Sequence, residues 1–176
     1  MDFSKRAVLG MMFGALACAS AEAREAAVRT SDPVPLETAR GTFDRLKTLV
    51  GAWRGQRPDG REIGVSYRLS AAGTVLVETW ALGPGRESLT LYHMDGADLL
   101  ATHYCPIGNQ PRLRLTRASA ERFDFAFRDA TDLAPGEAHQ HDFWIEIHGP
   151  GAIARGETYV EGGESDSETI RYVRVP

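Results

Sequence analysis

Histidine and cysteine are the residues of this sequence best suited to metal chemistry. Four of them recur two positions apart, as His103 with Cys105 and His139 with His141. Residues two apart in a β-strand point to the same face, and imidazole nitrogens and thiolates are common ligands of zinc and copper. The spacing predicts a metal site built from these four residues. The alternative is that they are hydrogen-bonded core histidines, or that they lie at strand ends open to solvent.

The same alternation predicts which side chains face the interior of a β-rich domain, because the apolar face of each strand is expected to point inward. Between Pro106 and Pro111, a stiff turn presents the polar Asn109. Its side chain either contacts a ligand at the mouth of the domain or satisfies its own backbone. The predicted ligand-contacting residues are Leu91, His93, Ala101, His103, Cys105, Asn109, Phe125 and Phe143.

The motifs of the common enzyme classes do not occur. The chain has no Gly-x-Ser-x-Gly, no His-Glu-x-x-His, no phosphate loop and no dinucleotide fingerprint. A nucleophile pair of Cys105 and His103 needs hydrogen-bond contact, yet strand neighbours two apart start roughly 6.5 to 7 Å from each other. Arg155, Glu157 and Glu161 share a strand face, which we interpret as solvated rather than as an acid–base pair. We name no catalytic residue, and we favour binding over catalysis.

The composition is that of a single globular domain. Of the 176 residues 43% are apolar and 25% are charged, which excludes coiled coils and wholesale disorder. The net charge is −4 and the basic residues are scattered, so neither nucleic acid nor an anionic membrane surface is an expected partner. The expected partner is a small hydrophobic molecule.

Turn signals separate short alternating segments along most of the chain. One helix is predicted after Thr42, a suitable N-cap, and it ends at Gly51. The segments that follow are short and mostly tightly connected, which predicts an all-β fold, an antiparallel up-and-down β-barrel of about ten strands preceded by one short helix. The predicted strands are 51–56, 62–69, 74–82, 87–94, 98–105, 111–117, 121–128, 139–148, 152–161 and 168–175.

The N-terminal segment resembles a secretory signal. Lys5 and Arg6 precede an uncharged run, and small residues surround Ala23 as a cleavage site, so we expect residues 1–23 to be removed on export to the periplasm or medium. The uncharged run is shorter than the roughly 20 residues of a membrane span. Alternatively, Cys18 follows a lipobox-like sequence and anchors the protein through a lipid. The predicted organisation is signal 1–23, mobile leader 24–40 and barrel domain 41–176.

A helix that runs into Gly51-Ala-Trp53-Arg-Gly55 resembles the calycin superfamily, which includes the lipocalins, the fatty-acid-binding proteins and the nitrobindin-like barrels. The resemblance implies that Trp53 closes the barrel floor and packs with an arginine of the last strand, either Arg171 or Arg174. It also implies a cavity for one small ligand.

The chain departs from the haem-binding members of that superfamily. Arg57 stands where their glycine motif has its last glycine, and the last predicted strand carries no histidine to ligate haem. We therefore do not expect haem by that route, and zinc or copper is the cofactor considered. The sequence thus predicts an exported calycin-like barrel that binds a small, largely apolar ligand. Two alternatives are a metal-binding or enzymatic barrel that uses inward His and Cys residues, and a packed interaction module without a ligand.

Overall fold

Residues 34–176 are described by the computed structural model, and they form one helix followed by a closed antiparallel barrel of ten strands. The predicted fold class is confirmed. The helix α1 spans Leu36–Lys47, and the strands are β1 Gly51–Gln56, β2 Glu62–Ser70, β3 Val75–Gly83, β4 Arg86–Asp95, β5 Asp98–Tyr104, β6 Gln110–Ala118, β7 Arg122–Thr131, β8 His139–Ile147, β9 Ala152–Glu161 and β10 Glu164–Arg174.

Helix α1 begins at Leu36, directly after Pro35, and so starts well before the predicted N-cap Thr42. Thr42 is instead a buried residue of the helix interior, because the apolar face already begins at Ala39 and continues to Phe43. Residues 36–40, predicted as the end of a mobile leader, are therefore helical. Residues 24–33 of that leader, the signal segment and Cys18 lie outside the described residues.

Each strand pairs with its sequence neighbours, and β1 closes the barrel by pairing with β10, with Trp53 opposite Arg174. In such an up-and-down barrel, alternate turns lie at the same end. The turns that follow β1, β3, β5, β7 and β9 therefore lie at the same end of the barrel. We call this end the open end. Because α1 leads into the start of β1, the helix lies at the opposite end. None of the helices in residues 34–176 is long and apolar enough to cross a bilayer.

The helix end of the barrel is filled by apolar side chains. Phe43, Leu46 and Leu49 of the helix segment are buried in one cluster with Trp53 and with the inward residues of most strands. Burial of this apolar surface is the main source of stability, at about 25 cal/mol per Å² removed from water. The helix therefore closes its end of the barrel as part of the core.

Trp53 and Arg174 connect the floor of the barrel to the helix. The indole N–H of Trp53 donates a hydrogen bond of 2.8 Å to the carbonyl of Leu49. The Arg174 guanidinium lies 4.2 Å from the centre of the Trp53 ring and donates to the carbonyl of Val50. Arg171, the other arginine considered for this role, is exposed. The last strand thus supplies the tryptophan's partner through Arg174.

Candidate functional site

The interior face of β4 differs from the predicted one. Ser88, Thr90 and Tyr92 are buried, whereas Leu91 and His93, on the alternate positions of the strand, lie on the outer face and are partly exposed. The prediction that Leu91 and His93 line the interior is wrong, because both leucines of this strand, Leu89 and Leu91, lie on its outer face. The inward face carries hydroxyl side chains, two of which bond buried groups: Thr90 bonds His103 and Tyr92 bonds Glu78. Apolar alternation therefore selects the opposite face.

A β-bulge reverses the parity of β8. The pairing with β9 shifts between Gln140 and Asp142, so that Gln140 and Phe143 are both buried. His139 and His141 therefore do not share the inward face of Phe143. His141 has a side chain 48% exposed. The extra residue in the strand explains why strict alternation fails here.

The four residues predicted to bind a metal are not brought together. His139 and His141 contact the ring of Phe127, with centroid distances of 5.0 and 5.9 Å, whereas His103 is inside the barrel. Cys105 follows the end of β5, and burial raises the pKa of its thiol. In the part of the chain that the structure describes, no three His, Cys, Asp or Glu side chains are grouped so as to hold a metal ion.

Phe125 and Phe143 belong to the packed core. Their rings stack at a centroid distance of 4.7 Å, and the edge of Tyr92 meets both of them. Ala101 is also completely buried in this cluster. These three predicted ligand contacts therefore fill the middle of the barrel rather than line an open space.

Asn109 joins two turns of the open end. Its buried side chain donates a hydrogen bond of 2.9 Å to the carbonyl of Ala138, in the connection before β8. Its own backbone carbonyl accepts from the N–H of Cys105 at 3.1 Å. Asn109 thus fixes the turn after β5 against the neighbouring loop, which matches neither of its two predicted roles.

A cavity of about 460 Å³ opens between the turns at the open end. Its size is that of a small-molecule site. We call it the mouth cavity. Its lining residues are Arg57, Pro58, Trp80, Leu82, Ser88, His103, Pro106, Glu157, Tyr159, Asp166, Ser167 and Glu168. Of the predicted ligand contacts, only His103 is among them.

A buried ion-pair cluster lies next to the mouth cavity. The Arg155 guanidinium donates to Glu157 Oε2 at 2.8 Å and lies 3.2 Å from a carboxylate oxygen of Glu78. It also packs over the rings of Trp80 and Phe143, at 4.8 and 4.4 Å from their centres. The interpretation of Arg155 and Glu157 as a solvated strand face is therefore wrong, since this face of β9 points into the barrel.

Glu78 is held by neutral donors as well as by the arginine. Tyr92 donates to Glu78 Oε2 at 2.6 Å, and the indole N–H of Trp80 donates to its other oxygen. Burial, reinforced by the negative charge of Glu78, raises the pKa of Tyr92 well above its ordinary value. Tyr92 is therefore a neutral donor, and the carboxylate of Glu78 is held in one position.

His103 forms a hydrogen-bonded row with two hydroxyl groups. Its Nδ1 is 3.1 Å from the hydroxyl of Thr90, and its Nε2 is 3.2 Å from that of Tyr159. Burial, together with the nearby charge of Arg155, lowers the pKa of His103 to about 3. Burial also raises the pKa of Tyr159. Both side chains are thus neutral at pH 7 and are suited to hydrogen bonding rather than to proton transfer.

Charged side chains surround the entrance of the mouth cavity. Arg57 donates to Glu168 at 2.9 Å, and Asp166 and Glu157 also line the cavity. Burial raises the pKa of Glu168, an effect that Arg57 opposes and Glu157 reinforces. When the carboxyl groups are ionised, the lining carries three negative charges and one positive charge.

Ser88 offers the cavity an unused hydroxyl. It is 6% exposed and lines the mouth cavity. None of the residues from 34 to 176 forms a hydrogen bond with its side chain. A hydroxyl that faces a cavity and has no protein partner can donate to or accept from a ligand, so this group is a candidate ligand contact.

A larger depression of about 1430 Å³ lies on the outer face of β1, β2 and β3. It is broad, and many of its lining residues are small, such as Ala52, Gly64 and Ala81. None of the buried polar groups described above lies there. The mouth cavity, where buried and fixed polar groups border a partly enclosed space, is therefore the stronger candidate site.

The sequence pattern does not predict most of the residues that line the mouth cavity. The one available signal was the alternation of Ile153, Arg155, Glu157 and Tyr159 on β9, which places two charges on a face with apolar neighbours. Trp80 and Ser88 gave no signal alone, because they face each other only through the pairing of β3 with β4.

Comparison with known proteins gives no family for this chain. No protein-family model matches the sequence, and no curated protein matches it. Among solved structures, the chain is similar to a protein of unknown function of the DUF3598 family from Nostoc punctiforme PCC 73102. The identity is 17%, the TM-score is 0.48, and the match covers 74% of this chain and 49% of the other. The chain thus spans about half the length of that protein. Its closed ten-strand barrel is consistent with a calycin-like fold.

Proposed function

We propose that the protein binds a small amphipathic molecule in the mouth cavity. The observation that carries this proposal is a space of about 460 Å³ whose wall includes Trp80 and the fixed carboxylate of Glu157. Ligand sites in proteins combine an enclosed, partly apolar wall with a few oriented polar groups. The mouth cavity has both.

The energetics of the barrel interior favour a binding role. A buried ion pair rarely stabilises a fold more than apolar packing of the same volume. Arg155 and Glu78 nevertheless occupy the interior, where they hold Glu157 and Trp80 in place. Such a cluster gives the cavity fixed hydrogen-bonding groups and so lowers the cost of ordering the site on binding.

The protonation states favour recognition over catalysis. His103 and Tyr159 are neutral at pH 7, and the Cys105 thiol has a raised pKa. A general base or a nucleophile instead needs a pKa near the working pH or a lowered one. We therefore favour a binding protein over the enzymatic alternative.

The chemistry of the lining refines the predicted ligand. Four charged side chains face the cavity, and the apolar residues Phe125 and Phe143 are packed away from it. A largely apolar ligand would cover Asp166 and the second carboxylate oxygen of Glu157 without offering either of them a hydrogen-bond partner. We therefore propose a ligand with an apolar body and at least one polar group. The signal-like residues 1–23 support a role outside the cytoplasm.

A fragment screen by NMR tests this proposal. The library contains equal numbers of cationic, neutral and anionic fragments of 10 to 15 heavy atoms, and binding is mapped by the shifts of the Trp80 indole and the Ser88 amide. The variant Ser88→Phe fills the cavity, and Ser66→Phe, on the outer face of β2, is its control. We expect binders that shift the cavity signals and are lost only in Ser88→Phe, with both variants folded by circular dichroism. A screen without any such binder overturns the proposal.

A further inference from the structure

We propose that the mouth cavity selects organic cations, specifically a protonated amine on an aromatic or apolar body. This inference rests on the proposed function and names the ligand class of the same site. It depends on the charge of the lining, on two unused acceptors inside it and on its aromatic wall.

The mouth cavity is lined by more negative than positive side chains, which favours a cationic ligand. Glu157, Asp166 and Glu168 contribute three carboxylates against the single guanidinium of Arg57, while His103 stays neutral. The net charge of the lining is thus −2 when the carboxyl groups are ionised. An enclosed negative site attracts cations more strongly than the same charges would in bulk water.

Two hydrogen-bond acceptors in the mouth cavity have no donor in the part of the chain that the structure describes, which also favours a cationic ligand. Both hydrogen bonds to Glu157, from Gln140 and from Arg155, go to Oε2, and no other donor among the described residues reaches Oε1. The Ser88 hydroxyl, which is accessible from the cavity, is also without a hydrogen-bond partner in residues 34–176. An ammonium group has three N–H donors. It can use Oε1 and the Ser88 hydroxyl as acceptors, whereas an anion could accept only from the Ser88 hydroxyl and would be repelled by Oε1 of Glu157.

The aromatic side chains in the wall of the mouth cavity also favour an organic cation. Trp80 and Tyr159 line the cavity as aromatic surfaces, and Leu82 and Pro58 extend the apolar part. Aromatic faces attract cations through their quadrupole and also bury apolar groups well. The combination of carboxylates with aromatic walls fits an aryl-alkyl ammonium better than an inorganic cation. The absence of a metal-holding group among the described residues agrees with this choice.

Three matched indoles test the inference on the intact protein. Tryptamine is cationic, tryptophol is neutral and indole-3-propionate is anionic, and the three have similar bodies. We expect isothermal titration calorimetry at pH 7 and low salt to give at least tenfold tighter binding for tryptamine than for the other two. Addition of 0.5 M NaCl is expected to weaken tryptamine binding severalfold, because salt screens the entrance charges.

Substitutions inside and outside the mouth cavity test whether tryptamine binds there. Ser88→Ala is expected to weaken tryptamine binding about fivefold by removing one hydrogen bond. Asp166→Asn is expected to weaken it about threefold by removing one exposed charge. Glu164→Gln removes an equal charge from the same strand outside the cavity and is expected to leave the affinity unchanged. Equal effects of Asp166→Asn and Glu164→Gln would show that the cavity charge is irrelevant and so contradict the inference.

Failure of this inference is distinguishable from failure of the proposed function. If tryptophol or indole-3-propionate binds in the cavity as tightly as tryptamine, the site binds small molecules but does not select cations. The same conclusion follows if the fragment screen yields cavity binders that lack a positive charge. If neither the indoles nor any fragment binds in the cavity, both proposals are overturned.

Discussion

Arg155 and Glu78 form an ion pair in the barrel interior, with Nη2 3.2 Å from Oε1 and side chains only 1% and 0% exposed. The pair lies next to the mouth cavity, because the same guanidinium also donates to Glu157, which lines that cavity. Removal of Arg155 would leave the charge of Glu78 buried without its cation, whereas removal of Glu78 would leave Arg155 paired only with Glu157. Substitution of Arg155 is therefore expected to affect both the fold and the site.

The first prediction concerns that pair. Arg155→Met is expected to lower the free energy of unfolding by about 3 to 5 kcal/mol, because Glu78 then stays buried without its cation. The double variant Arg155→Met with Glu78→Gln is expected to recover part of that loss. Urea unfolding of the wild type, both single variants and the double variant measures the coupling. Additive effects of the two substitutions would show that the pair is not coupled.

The second prediction concerns His103 and acid stability. Its folded pKa is about 3, against about 6.5 in an unfolded chain. Between these values the unfolded state binds a proton that the folded state does not, so stability falls as the pH decreases from 6.5 towards 3. The slope approaches about 1.4 kcal/mol per pH unit. His103→Gln is expected to remove this contribution, so that its stability falls less steeply than that of the wild type.

Urea unfolding at pH 7, 5 and 4 compares the two proteins. His93→Gln, which changes a histidine on the outer face of β4, is the control and is expected to follow the wild type. Parallel curves for the wild type and His103→Gln would mean that His103 is not kept neutral by the fold.

The third prediction concerns the barrel floor. Arg174 lies over Trp53 and donates to the carbonyls of Val50 and Thr48. Arg174→Ala is expected to lower the melting temperature by several degrees and the stability by about 1 to 3 kcal/mol, because charge-assisted hydrogen bonds and a cation–π contact are lost. Arg171→Ala, on the same strand but exposed, is expected to change stability by less than about 0.5 kcal/mol. Equal effects in differential scanning fluorimetry would contradict this role.

The fourth prediction explains a glycine of the Gly-x-Trp-x-Gly segment. A Cβ on Gly55 would lie 2.7 Å from the Tyr172 ring and 2.8 Å from the backbone carbonyl oxygen of Arg171. A backbone atom cannot move aside cheaply, so Gly55→Ala is expected to cost about 1 to 3 kcal/mol through overpacking. Gly64→Ala is the matched control on β2, since its nearest atom would be 3.8 Å away. Chemical unfolding of both variants checks the difference, and equal costs would refute the steric explanation.

The strands and the barrel could be predicted because their signals are local. Turn residues such as Pro58-Asp59-Gly60 and Gly149-Pro150-Gly151 mark the ends of strands, and each strand pairs with its neighbours in sequence. The helix start was misplaced because Thr42 resembles an N-cap. The helix already includes Ala39, which packs against the core, and this contact is visible only in the structure.

The candidate site is less predictable, because its residues come together through pairing and through exceptions to alternation. Ser88 is a small polar residue on an inward face, so apolar periodicity assigns it to the outside. The bulge at Gln140 turns His139 and His141 outward, and no single residue in the sequence marks it. Glu157 was visible as a charge on β9, but its burial depends on Arg155 and Gln140.

A crystal structure of the protein with the tightest fragment from the screen shows where small molecules bind. We expect electron density inside the mouth cavity, with the ligand body against Trp80 and Tyr159 and its polar group within hydrogen-bond distance of Glu157 or Ser88. Density only in the outer depression of β1, β2 and β3, with the mouth cavity free of ligand, would contradict this expectation.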